Sequence, residues 1–189
     1  MSSSREVAYD ALLAVERQDA YLNLVLPKAL AKARLSNVDA AFATELAYGT
    51  ARWQGLYDWI IAEATGREVQ YIDADALLVI RLGAHQLLEL NTPAHAAIFE
   101  MVNLAKKRLK ASVLGFINAA LRRISERSRK QWIERLHDSG LSAEAITSIE
   151  FSHPLWVSRA LRLALQSEDS SDELVAALIS DNDAPKVNL

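Results

Sequence analysis

Between Leu77 and Leu88 the chain reads Leu-Leu-Val-Ile-Arg-Leu-Gly-Ala-His-Gln-Leu-Leu, and no other segment limits the possible folds as much. Leu77, Ile80, Ala84 and Leu87 recur at helical spacing, while Leu78, Leu82 and Leu88 broaden the stripe around the perimeter. A helix with so much apolar surface must be surrounded by other elements. Asp73 is placed to cap its start, and Asn91-Thr92-Pro93 to end it.

The rest of the chain supplies helical neighbours. Ser3 and Glu6 have capping-box spacing ahead of the stripe Val7, Ala11, Leu12 and Val15. A short helix is predicted from Leu24 to Ala33, with Pro27 near its first turn, where a missing N–H is harmless. Ser36 or Asn37 can cap one long segment with Ala41, Phe42, Leu46, Trp53, Leu56, Ile60 and Ile61 on its apolar face. Gly49 and Gly55 lie inside that segment, and each costs about 1 kcal/mol against alanine, which predicts tight helix packing or a kink there. Helices are also predicted from Ala94 to about Arg108 and around Phe116, Ala120, Leu121 and Ile124. Shorter ones follow at Trp132–His137, Ser142–Phe151, Leu155–Leu165 and Ser170–Ser180, with breaks at Gly140 and His153-Pro154. The last residues, Lys186-Val187-Asn188-Leu189, alternate as the opening of a strand would. The expected fold class is all-α.

Several chemistries have no candidate. The 189 residues contain no cysteine, so thiol nucleophiles, thiolate metal sites and disulfides are excluded. The six glycines are too scattered for a phosphate- or methyl-donor-binding loop. His85 lies in the most apolar helix and His95 at a helix start, neither with a metal-spaced partner, and both read as structural. Glu45, Arg52 and Arg81 are charges embedded in apolar helices and read as partly buried ion pairs that fix helix register. No catalytic, metal or cofactor residue is assigned. The N-terminus lacks a basic-then-apolar leader, and no apolar run approaches the roughly 18 residues of a membrane span. These readings, with the missing cysteines, point to a soluble cytoplasmic protein.

The net charge of −3 conceals a segregation. Residues 103–135 hold ten bases and two acids, a balance of +8, which leaves −11 on the remainder. Lys106, Lys107, Arg108, Lys110, Arg122, Arg123, Arg127, Arg129 and Lys130 are the candidate RNA-binding residues, because one concentrated basic segment on an acidic chain suits a polyanion. A turn near Ser112 should set the flanking helices side by side and gather Lys106, Lys107, Arg108, Lys110, Arg122 and Arg123 on one surface. Backbone amides near Gly115, at the start of the second helix, could also receive phosphate. The bland reading of the same cations is a solvated face, with lysines favouring a helix C-terminus.

Three stretches carry a family resemblance: Glu45-Leu46-Ala47-Tyr48-Gly49-Thr50-Ala51-Arg52; Arg81-Leu82-Gly83-Ala84-His85-Gln86-Leu87-Leu88 with Pro93-Ala94-His95-Ala96-Ala97; and Gly115-Phe116-Ile117-Asn118-Ala119-Ala120-Leu121-Arg122. Across residues 5–130 they resemble the NusB-like domain that begins the Sun/Fmu family of bacterial ribosomal RNA cytosine-5 methyltransferases. His153-Pro154-Leu155-Trp156-Val157 and the Asn182 to Asn188 segment resemble that family's linker and first catalytic strand.

The resemblance implies a NusB-like helical bundle over 1–135 and a helical connector with a first strand over 136–189. It implies a non-catalytic RNA-binding accessory domain, with the methyltransferase domain and its S-adenosylmethionine absent from this chain. Implied partners are ribosomal RNA, that downstream domain and a ribosomal protein. A protein-interaction module of the NusB type is the alternative, and an intramolecular brace a third reading. Free-standing NusB proteins carry an arginine-rich N-terminus, whereas only Arg5 precedes Val7 here, which moves the expected RNA contact to the segment after Asn103.

Overall fold

The computed structural model describes residues 3–90, 92–165 and 170–183. They form eleven α-helices and no strand: α1 (Ser4–Gln18), α2 (Leu22–Ala33), α3 (Asn37–Arg52), α4 (Gln54–Thr65), α5 (Ala74–Leu88), α6 (Ala94–Arg108), α7 (Leu114–Ser125), α8 (Arg129–His137), α9 (Ala143–Glu150), α10 (Leu155–Leu165) and α11 (Ser170–Asn182). The all-α expectation holds. The proposed strand at Lys186–Leu189 lies outside the described residues. Among the described residues no helix is long and apolar enough to cross a membrane.

The chain divides into two compact units, residues 1–129 and 130–189. In the first, α5 is the central helix. It packs against α1, α3, α4, α6 and α7, and Leu78, Val79, Ile80, Leu82 and Ala84 are fully enclosed. The apolar perimeter of Leu77–Leu88 required this arrangement. Capping fixes where α1, α3 and α5 start: Ser3 accepts the Glu6 amide while Glu6 accepts that of Ser3, Ser36 accepts the Asp39 amide, and Asp73 accepts that of Ala76. Two glycines allow close helix approach. A Cβ at Gly49 would run into the imidazole of His85, and one at Gly83 into Leu121.

Two expectations need correction. Pro27 stands inside α2 beyond its first turn, because the helix starts at Leu22 and not Leu24. One backbone hydrogen bond is therefore missing from its interior. The long segment after Ser36 is two helices. Trp53 leaves helical geometry (φ −98°, ψ 16°), ends α3 and starts α4, so the break falls between the two glycines and not on either.

In the second unit, α10 packs on α9 and α11, and Leu174 and Leu178 are buried. Its turn after α9 is held by polar contacts. The Ser148 hydroxyl donates to the His153 carbonyl at 2.5 Å, Asn182 Nδ2 donates to the Phe151 carbonyl at 2.8 Å, and His153 Nε2 lies 2.8 Å from Asp181.

Candidate nucleic-acid interface

Helices α6 and α7 are joined by residues 109–113, where a 3₁₀ turn at Ala111–Val113 reverses the chain. Each helix carries an apolar face onto α5, with Ala97, Ile98, Met101, Leu104 and Ala105 on α6 and Ile117, Ala120, Leu121 and Ile124 on α7. Those faces hold the two helices side by side, as the turn near Ser112 predicted. The start of α7 is less open than expected, because the Leu114 amide already donates to the Ala111 carbonyl of the turn.

Of the six cations expected to share one surface, Lys107, Arg108 and Arg123 are engaged with other elements. Lys107 Nζ lies 2.8 Å from Glu6 on α1, and that contact holds the Glu6 carboxyl below the usual carboxylate range. Arg108 reaches Asp10 at 2.8 Å and lies over the Tyr9 ring. Arg123 donates to the Ala64 carbonyl at 3.0 Å, one of the last carbonyls of α4. Arg129 pairs with Glu89 at 2.5 Å and stacks over Trp53, 4.5 Å from its centroid. Arg127 is engaged within the chain. Lys130, in the second unit, faces Glu134 at 3.9 Å, one helical turn on, and is largely solvated.

Lys106, Lys110 and Arg122 remain exposed, with no ion pair or side-chain hydrogen bond among the described residues. Two of these three share a groove of about 610 Å³ between α6 and α7. The α6 wall carries His95, Phe99, Val102, Asn103 and Lys106, spaced i, i+4, i+7, i+8 and i+11 along one face. Asn118, Arg122 and Ser125 form the opposite wall at i, i+4 and i+7, and Glu126 closes one end. Phe99 is 62% exposed. The Asn103 and Asn118 amides make no side-chain hydrogen bond among the described residues. The groove thus offers unpaired cations, unpaired amides and an open aromatic ring.

Sequence reasoning found the groove's cations and missed its aromatic and amides. Phe99 lies off the inward stripe of α6, and that position is its only sequence signal. Asn118 carries no sequence signal beyond its place in the Gly115–Arg122 motif.

Arg5 does not serve as a free N-terminal RNA contact. Its Nε donates to Gln86 at 2.8 Å and its guanidinium covers the Phe42 ring at 5.1 Å. Arg81 is paired as expected, but with Asp58 (2.7 and 2.9 Å) and Glu16 (2.6 Å), not with Glu45. Glu45 faces His85 instead, 3.4 Å away.

His85 heads a further cluster of titratable groups. His85 is buried, Nδ1 lies 2.8 Å from the Tyr57 hydroxyl, and Gly49 closes over Nε2. Burial lowers the His85 pKa to about 4, against the opposing pull of the Glu45 carboxylate. A neutral imidazole enclosed this way has no room for a substrate. Among the described residues no group of three or more His, Asp or Glu could hold a metal ion, and no strand–glycine-loop–helix unit is present to hold S-adenosylmethionine.

Residues 2–126 match the NusB family. The chain is 39% identical over its whole length to the "Putative methyltransferase Rv1407" of Mycobacterium tuberculosis (strain H37Rv), of which it covers 41%. It is 35% identical over 160 residues to the "Ribosomal RNA small subunit methyltransferase B" of Pseudomonas syringae pv. tomato, covering 85% of this chain and 34% of that protein. The protein of the same name from Pseudomonas putida is 35% identical over 158 residues, 84% of this chain and 34% of the relative. The chain therefore spans about two fifths or less of the length of these relatives.

Proposed function

Because the chain belongs to the NusB family, we propose that it is the non-catalytic, RNA-holding part of a ribosomal RNA methyltransferase, and that the α6–α7 groove is where it holds RNA. The supporting observation is that Lys106 and Arg122 reach this groove with no carboxylate partner among the described residues, while the neighbouring Lys107 and Arg108 have one. An unpaired cation is available to a phosphate, whereas a paired one must first give up its partner. In this reading the transfer to carbon 5 of a cytosine is done elsewhere, because that step needs a cysteine nucleophile and bound S-adenosylmethionine, and these 189 residues include no cysteine.

The test is the salt dependence of binding to single-stranded RNA. If Lys106, Lys110 and Arg122 each neutralise one phosphate, log K falls with log salt at a slope near −0.7 × 3, roughly −2. Replacing all three by alanine flattens the slope and weakens binding while leaving the melting temperature nearly unchanged, because the sites are exposed and unpaired. Unchanged affinity in that variant would remove the RNA reading.

The protein-interaction reading rests on a different place. Between α1 and α2 a mostly apolar hollow of about 330 Å³ is lined by Leu24, Val25 and Ala29, with Tyr21 and Leu24 largely exposed beside it. Loss of a partner protein on Leu24→Asp, with RNA affinity intact, would favour that reading.

A further inference from the structure

We propose that the α6–α7 groove takes an unstacked base of single-stranded RNA on the face of Phe99, with the adjoining phosphate held between Lys106 and Arg122. The proposal rests on the RNA reading above and goes beyond it, because a purely electrostatic surface needs no aromatic ring.

Three observations carry it. Phe99 is a large apolar ring, 62% exposed, inside a concave site of about 610 Å³. That volume lies within the range of ordinary small-ligand pockets. An open ring in such a place is a stacking platform, since every base presents a π-face. Lys106 follows Phe99 by seven residues on the same face, two turns or roughly 10 Å along the axis. Helical side chains lean toward the N-terminus, so the ammonium is carried back toward the ring. Finally, the Asn118 amide on the opposite wall has both donor and acceptor free among the described residues, as the edge of a base requires.

Charge decides between RNA and a peptide as occupant. Two cations, Lys106 and Arg122, line the groove against one acid, Glu126, a balance that favours an anionic chain. Duplex RNA does not fit the same description, because its bases are stacked and turned inward.

The test uses the intact chain with two probes, a single-stranded RNA decamer and the blunt duplex formed from it. Phe99→Ala is expected to weaken decamer binding roughly 5- to 100-fold, the loss of about one stacked base, and to leave duplex binding unchanged. Phe99→Trp should restore decamer binding. Lys106→Ala with Arg122→Ala should weaken both probes. Phe99 is exposed, so Phe99→Ala should melt as the parent does. Unchanged decamer affinity in Phe99→Ala, beside a loss in the lysine–arginine variant, overturns the base site and leaves the phosphate surface standing. No loss in either variant overturns both. Equal losses on decamer and duplex in Phe99→Ala also overturn the base site, since stacking cannot produce them. Retention of RNA binding by Phe99→Ala together with loss of a bound protein identifies the groove as a protein site and likewise overturns the proposal.

Discussion

At the scale of single residues, the burial of His85 has a measurable consequence. Its pKa is about 4 in the fold against about 6.5 in an unfolded chain. Between those values the unfolded state binds the proton and the native state does not, so acid favours unfolding. The stabilisation is complete above pH 6.5 and is lost as the pH falls toward 4, a loss of roughly 3 kcal/mol. His85→Gln keeps a polar side chain but cannot titrate. Its urea-unfolding free energy should therefore fall less steeply from pH 7 to 4 than that of the parent protein. Glu16 and Glu89, whose burial raises their pKa, act in the opposite direction but equally in both proteins. Parallel pH profiles would show that the imidazole is neither desolvated nor held neutral. Part of this cluster was legible in the sequence, where a glycine inside an apolar helix announced close packing at Gly49. The atom that fills the space, His85, was not, because a 36-residue separation gives no local signal. Arg81 shows the same limit: a buried charge was evident, but its partners Glu16 and Asp58 are 65 and 23 residues away.

At the scale of elements, start and stop signals were the most readable part of the chain. Ser3–Glu6, Ser36 and Asp73 cap as their spacing implied, and the limits of α6 agree at both ends. Failures occurred where tertiary packing overrode local pattern, at Pro27 inside α2 and at the break on Trp53. The basic segment shows a related limit of the sequence. Net charge counts cations, but which of them remain free depends on what α1 and α4 present to α6 and α7. This division gives paired and unpaired cations different expected behaviour. Lys107→Ala with Arg108→Ala removes two partly exposed pairs to Glu6 and Asp10, each worth about 0.2–1 kcal/mol. That double variant should lose about 1 kcal/mol of stability, with the loss shrinking at high salt, and change RNA affinity less than Lys106→Ala with Arg122→Ala does. Denaturant melts and binding titrations on both double variants separate the two effects. Equal RNA losses would mean the pairs to α1 open readily and the basic segment acts as a whole.

At the scale of the whole molecule, the core is unevenly shared. Of the thirty-six buried apolar side chains among the described residues, thirty-two precede residue 130. The central helix α5 and all five helices packed on it lie there too. A chain of about 130 residues buries well over 60% of its unfolded surface, enough for independent folding without disulfides or metals. The four buried apolar residues after it, Trp132, Leu136, Leu174 and Leu178, cannot form a comparable core. Residues 1–129 alone should therefore keep their helicity and unfold in a single cooperative transition, with coincident curves from circular dichroism and tryptophan fluorescence. They should also retain RNA binding, because the α6–α7 groove lies wholly within them. A broad, non-coincident melt would mean that the second unit completes the fold of the first. A cooperative melt with lost RNA affinity would place the contact surface in residues 130–189 and turn attention to Lys130 and the helices that follow it.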